Sequence, residues 1–75
     1  MSEEVETILK EIMSAVFEVP LDTITSQTSV ENIDEWDSLK HISLIAALEE
    51  EFGKEYDEEA ILRMTNFESI LKEVI

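Results

Sequence analysis

The chain has 75 residues, of which 19 are acidic and five are basic, so its formal net charge at pH 7 is −14. Electrostatic repulsion from phosphate groups argues against nucleic acid and anionic membrane surfaces as partners. The length allows one domain, and the hydrophobic fraction of 44% favours a folded chain over a disordered one.

The chain contains no cysteine, which excludes a disulfide framework, a thiolate metal site and a thiol nucleophile. No apolar run reaches membrane-spanning length, and the acidic amino terminus lacks the basic-then-apolar order of an export signal. We therefore expect a cytoplasmic protein without membrane insertion, and we expect a monomer.

Apolar residues recur at helical spacing in the first part of the chain, which predicts an amphipathic first helix. Ser2 is placed to cap this helix, and Glu3 and Glu4 complement the positive end of its dipole. The stripe consists of Val5, Ile8, Leu9, Ile12, Met13, Val16 and Phe17.

A long loop is predicted next, because Pro20 follows the stripe and no period is sustained as far as Trp36. Loops of this length are uncommon in compact domains and tend to be functional. We expect four apolar side chains to attach it to the core, namely Leu21, Ile24, Val30 and Ile33.

A second helix is predicted from Asp37 to Phe52, and Gly53 is well placed to end it in a left-handed conformation. Its apolar residues cover most of the circumference, whereas a helix on one side of a core shows a single stripe. One apolar flank therefore either packs against several neighbours or faces a partner. The residues concerned are Leu39, Ile42, Leu44, Ile45, Ala46, Leu48 and Phe52.

The last part of the chain predicts a short third helix over 57–62 and a fourth helix after it. Thr65 and Glu68 have the spacing of a capping box for the fourth helix. Its stripe is Phe67, Ile70, Leu71, Val74 and Ile75. The sequence thus predicts an all-α fold, a four-helix bundle with three longer helices, one short helix and a long loop between helices one and two.

The start of the second helix is the best candidate for chemistry. If Asp37 caps the helix, Ser38 lies in its first turn, where unpaired backbone donors and the dipole favour a phosphate. Asp-Ser at this position is equally typical of ordinary capping.

Ser38 and His41 are three residues apart, but the machinery of a serine hydrolase is missing: there is no second histidine and no glycine-rich loop. We expect His41 to lie against Trp36, which precedes the cap and can form half of a hydrophobic staple. The acidic residues do not have calcium-loop spacing, so no metal site is predicted.

Asp37-Ser38-Leu39, at the head of a helix that ends in Leu48-Glu49-Glu50-Glu51-Phe52-Gly53, closely resembles the acyl carrier proteins. The resemblance covers essentially the whole chain in length, acidity, helix order and serine position. It implies a single acyl carrier domain over 1–75.

The resemblance implies a carrier and not an enzyme. In that family a separate transferase attaches phosphopantetheine from coenzyme A to the serine that matches Ser38, between Asp37 and Leu39, and acyl groups travel on it as thioesters. Four residues match positions that line the family's acyl-chain pocket, namely Leu44, Leu48, Phe52 and Ile61.

The resemblance also implies a partner surface on the second helix, facing enzymes with basic patches that transfer, ligate or condense acyl groups. Its apolar part would be Leu39, Ile42 and Ala46, and its acidic part Asp37, Glu49 and Glu50. Lys40 and Ser43 stand where carriers of fatty-acid synthesis usually have acidic residues, and Trp36 is bulkier than the usual residue.

These departures favour a carrier dedicated to its own lipid, polyketide or related biosynthetic pathway. The alternatives are a carrier for general fatty-acid synthesis, a carrier for aminoacyl groups, and an unmodified acidic helical adaptor.

Overall fold

The structure is a computed structural model that describes residues 2–75, with side chains described from Glu3 onward. Within this range the chain forms four α-helices: α1 (Ser2–Phe17), α2 (Ser38–Phe52), α3 (Glu58–Arg63) and α4 (Phe67–Val74). A single 3₁₀ turn at Leu21–Thr23 interrupts the connection between α1 and α2. The predicted all-α fold is confirmed, as are its one short helix and its long loop. The side chain of Ser2, predicted to cap α1, lies outside the described part.

The core lies where α1 packs against α2 and α4. In α1, Leu9, Met13 and Phe17 are spaced four residues apart, so they share one face, and each is at most 1% exposed. The other elements add the remaining buried apolar side chains: Ile24, Ile33, Trp36, Leu44, Ile45, Leu48, Ala60, Met64, Phe67, Ile70 and Val74. None of the helices in the described residues is long and apolar enough to cross a membrane.

The long connection is anchored to the core by Ile24, Ile33 and Trp36, which are 2%, 6% and 5% exposed. The predictions that Leu21 and Val30 also attach it are wrong, because these side chains are 50% and 37% exposed. Leu21 begins the 3₁₀ turn, which contributes no buried side chain. Val30 is held through its backbone, since its N–H donates to the Thr65 carbonyl at 3.0 Å.

The predicted capping box of Thr65 and Glu68 is wrong. The residue that caps α4 is Asn66, whose Oδ1 accepts from the Ser69 N–H at 2.8 Å. Asn66 is extended because it forms an isolated antiparallel bridge with Ser29, and the next residue, Phe67, donates its N–H to the Thr28 carbonyl at 2.8 Å. The long connection therefore decides where α4 begins.

Candidate functional site

Asp37 fixes the start of α2. Its Oδ1 accepts from the Lys40 N–H at 2.9 Å, and its carbonyl accepts from the His41 N–H at 2.8 Å, which confirms it as the cap. Ser38 is therefore the first helical residue, and it is exposed. The amides of Ser38 and Leu39 lie in the first turn, where the helix provides no acceptor for them. The positive end of the dipole lies at the same place, so the surroundings favour an anion.

A groove of about 390 Å³ adjoins Ser38. One wall is the beginning of α2, and the opposite wall comes from α3 and the residues after it. At the edge of the groove the Val30 N–H donates to the Thr65 carbonyl at 3.0 Å, which joins the long connection to the residues after α3. The groove is lined by Val30, Trp36, Asp37, Ser38, His41, Ile61, Leu62 and Thr65.

A chain of two hydrogen bonds crosses from Trp36 to α3 through His41. The Trp36 indole Nε1–H donates to His41 Nδ1 at 3.0 Å, and His41 Nε2 lies 3.0 Å from the Ile61 carbonyl oxygen. Because an indole nitrogen only donates and a carbonyl only accepts, the two contacts fit an imidazole that accepts at Nδ1 and donates from Nε2. The two rings are stacked with centroids 6.0 Å apart. The predicted contact of His41 with Trp36 is confirmed, and it is polar as well as apolar.

The hydrogen bonds of His41 also argue against a role as a catalytic base. Both ring nitrogens are engaged, one with Trp36 and one with Ile61, so His41 is not positioned as a base for the Ser38 hydroxyl. This geometry supports the earlier argument against a serine hydrolase.

The apolar residues of α2 divide between core and surface. Leu44, Ile45 and Leu48 are buried, whereas Leu39 and Ile42 are 76% and 66% exposed. Ala46 lies on the surface as well. The second apolar flank of α2 therefore faces outward, where a partner could contact it, and is not packed against neighbouring elements.

The charged and polar residues predicted for partner binding have different surroundings. Lys40 Nζ lies 3.0 Å from Glu18 Oε2 in an ion pair, and Glu49 Oε2 accepts from the Tyr56 N–H at 3.0 Å. Ser43 and Glu50 are exposed. Asp37 is exposed too, although one of its oxygens serves as the cap.

The four residues predicted to line an acyl-chain pocket do not share one cavity with Ser38. Leu44 and Leu48 are 0% exposed, in the centre of the core. Phe52 is half-buried at its edge, and Ile61 alone borders the groove. Sequence reasoning missed Val30, Leu62 and Thr65 as groove residues. No local signal marks them, since Val30 and Thr65 are brought to the groove by the pairing of 28–30 with 65–67, and Leu62 by the position of α3.

Comparison with known families adds the decisive observation: the family described as "phosphopantetheine attachment site" matches residues 7–74. The chain belongs to this family. It is therefore a phosphopantetheine carrier and not a catalyst, which confirms both the predicted class and the predicted cofactor. Carriers of this family are modified by phosphopantetheinyl transferases and serve partner enzymes. No curated protein matches the sequence significantly.

The residues at the start of α2 fit such a group in this carrier. Ser38 offers an exposed hydroxyl, and the first turn of α2 offers amides and a positive dipole end to a phosphate. The groove beside Ser38 provides a partly apolar surface along which an attached group can lie.

Proposed function

We propose that this carrier holds acyl groups on a phosphopantetheine arm attached at Ser38 and delivers them to separate enzymes. The observation that carries the proposal is the position of Ser38: an exposed hydroxyl in the first turn of α2, beside a groove, in a chain of this family. When bound, phosphopantetheine supplies a flexible arm whose terminal thiol carries acyl groups as thioesters.

The residues around Ser38 have separate tasks in this proposal. Asp37 fixes the first turn through its bond to the Lys40 N–H, which keeps the Ser38 hydroxyl outside the helix and open to a transferase. The amides of the first turn and the helix dipole stabilise the negative charge of a phosphate ester.

The surface of α2 supports an interface with the transferase and with enzymes that transfer, ligate or condense acyl groups. Leu39, Ile42 and Ala46 form its exposed apolar part, and burial of such side chains stabilises a complex. Asp37 and Glu50 are exposed beside them, with Glu49 partly engaged by Tyr56. With a net charge of −14, the carrier would be drawn at long range towards enzymes with basic patches.

The charge pattern of α2 supports service in a dedicated lipid, polyketide or related pathway. Lys40 is paired with Glu18, the residue that follows α1, so it is part of the carrier's own structure, and Ser43 presents a neutral hydroxyl. Partners of this carrier would therefore meet a surface without the two acidic groups usual in fatty-acid synthesis. An aminoacyl cargo would use the same arm and the same surface.

Sheltering of the acyl chain by Leu44, Leu48, Phe52 and Ile61 requires the core to open. Leu44 and Leu48 have no exposed surface, and only Ile61 borders the groove beside Ser38. A chain that displaced core contacts to reach them would gain about 0.8 kcal/mol for each buried methylene.

The function is tested by incubating the unmodified chain with coenzyme A, magnesium and a broad-range phosphopantetheinyl transferase, then measuring the intact mass. We expect a gain of one phosphopantetheine. Ser38→Ala should abolish the gain. Ser26→Ala is the matched control, because Ser26 is another exposed serine and lies in the long connection, outside the partner surface of α2, and it should be loaded like the native chain. No gain under conditions that load a known carrier would contradict the proposal and leave the unmodified adaptor.

A further inference from the structure

The hydrogen-bonded chain of Trp36, His41 and the Ile61 carbonyl lies between the groove and the core. All three residues line the groove, whereas Leu44 and Leu48, behind them in the core, do not. The indole of Trp36 is 5% exposed and packs on its inner side against Phe17, at 4.9 Å between ring centroids. The groove therefore ends at these residues and does not continue into the core.

Opening this boundary requires several changes at once. The Trp36 indole must move away from the Phe17 ring, and the hydrogen bond from its Nε1–H to His41 Nδ1 must break. The hydrogen bond between His41 Nε2 and the Ile61 carbonyl must also break. This bond is part-buried, so leaving its polar groups unpaired would cost free energy. The bond between His41 Nε2 and the Ile61 carbonyl also ties the start of α2 to α3, so the two helices cannot separate there without breaking it.

We infer that Trp36 and His41 determine which cargo this carrier accepts, by holding a short acyl group in the surface groove and keeping long alkyl chains out of the core. The inference rests on the proposed attachment at Ser38. The lining suits a short cargo, because Val30 and Leu62 provide apolar contact while His41 and Thr65 place polar groups beside it. A long chain would have to lie in water or displace the Trp36 indole.

The test uses the native chain loaded at Ser38 with phosphopantetheine that bears acetyl, butyryl, octanoyl or dodecanoyl groups. Each methylene that enters the core would raise the melting temperature by about 3–6 °C. We expect no such rise from butyryl to dodecanoyl. We also expect the NMR methyl signals of Leu44 and Leu48 to be the same for all four cargoes.

Two variants remove the boundary in different ways. His41→Leu loses both hydrogen bonds and puts an apolar side chain in their place. Trp36→Phe loses the indole donor and part of the ring volume while keeping an aromatic ring against Phe17. In each variant, octanoyl and dodecanoyl should raise the melting temperature above that of the butyryl form by at least about 3–6 °C. They should also shift the NMR methyl signals of Leu44 and Leu48. His41→Gln is the control, because its amide can accept from Trp36 and donate to Ile61, and it should behave like the native chain.

Three results would overturn the inference. The first is a stepwise rise in melting temperature from butyryl to dodecanoyl in the native chain. The second is a Trp36→Phe variant whose melting temperature, like that of the native chain, does not rise with octanoyl or dodecanoyl. This result would show that the indole bond is not the boundary. Trp36→Phe gives this answer even if His41→Leu does not fold. The third is failure of the loading step itself, and that result alone would also remove the proposed function.

Discussion

Tyr56 lies between α2 and α3 with its backbone N–H bonded to Glu49 and its hydroxyl buried without a hydrogen-bond partner among the described residues. Burial raises the pKa of the Tyr56 phenol, and the carboxylates of Glu49 and Glu73 raise this pKa further, above the ordinary value of 10.0. The cause is the cost of placing a negative charge in a buried site that already faces two others. The phenol therefore stays neutral in the folded chain at a pH where it ionises in the unfolded chain.

This shift predicts a loss of stability at high pH. Because the folded pKa of Tyr56 is above the unfolded one, the free energy of unfolding should be highest below pH 10 and fall as the pH rises through the folded pKa. Tyr56→Phe should lack this part of the fall, and urea unfolding at several pH values measures the difference. Tyr56 is the single tyrosine, so phenolate absorbance reports its titration alone. Identical pH profiles for the two proteins would contradict the argument.

Single residues could be predicted from sequence where their chemistry is local. Asp37 was predicted as the cap of α2, and it accepts from an N–H three residues on. Asp57, the first residue of the helix predicted over 57–62, caps α3 in the same way. The contact of Trp36 with His41 followed from their spacing around the cap. The third member of that chain, the Ile61 carbonyl, could not be predicted, because it is 20 residues from His41 and carries no side-chain signature.

The residues that follow α1 and α2 have the same left-handed backbone conformation, although one is a glutamate and the other a glycine. Gly53 follows α2 at φ 62°, and Glu18 follows α1 at φ 57°. The next N–H then donates back into the helix in both cases, from Lys54 to Glu49 at 3.3 Å and from Val19 to Ser14 at 3.1 Å. The glycine made the end of α2 predictable. The conformation of Glu18 was not, because glutamate is unfavourable there.

Glu18→Gly is accordingly expected to stabilise the fold. Relief of the left-handed strain is worth about 1 kcal/mol, and loss of the exposed ion pair with Lys40 offsets at most part of it. Glu18→Ala is the control, since it loses the ion pair and keeps a Cβ. Urea unfolding should rank the glycine variant above the native chain and the alanine variant below it. A glycine variant no more stable than the alanine variant would contradict this reading of α1.

The start of α4 shows the limit of local reasoning about elements. Thr65 and Glu68 have the capping-box spacing, yet Asn66 is the cap, because its bridge to Ser29 sets the backbone before the helix begins. A long-range contact thus overrides a local pattern.

At the scale of the whole molecule, the charge is the dominant feature. The 19 acidic side chains face five basic ones, and the described residues contain two ion pairs, Lys40 with Glu18 and Arg63 with Glu73. Most of the carboxylates therefore repel one another across a small surface, and this repulsion favours the unfolded chain.

Added salt should raise the melting temperature, because screening weakens this repulsion. Millimolar magnesium should do the same at much lower ionic strength. A variant with Glu50→Gln and Glu51→Gln, two exposed positions, should melt at a higher temperature in low salt and respond less to added salt. A melting temperature that stays flat or falls across the titration would contradict the account of a crowded acidic surface.

The helical architecture could be predicted at this scale because each helix carries its own period and its own end signals. The groove beside Ser38 could not, since its walls come from three segments: 30, 36–41 and 61–65. They meet through long-range bonds to backbone carbonyls, from Val30 to Thr65 and from His41 to Ile61, and the carbonyls carry no signal in the sequence.

The most direct test of the central claim is to locate the added group. The chain is loaded from coenzyme A, digested, and fragmented in a mass spectrometer, so that the phosphopantetheine mass is assigned to one residue. We predict that it lies on Ser38 and on no other hydroxyl. Assignment to Ser43 or Thr65, or a loaded chain whose Ser38 is unmodified, would contradict the account.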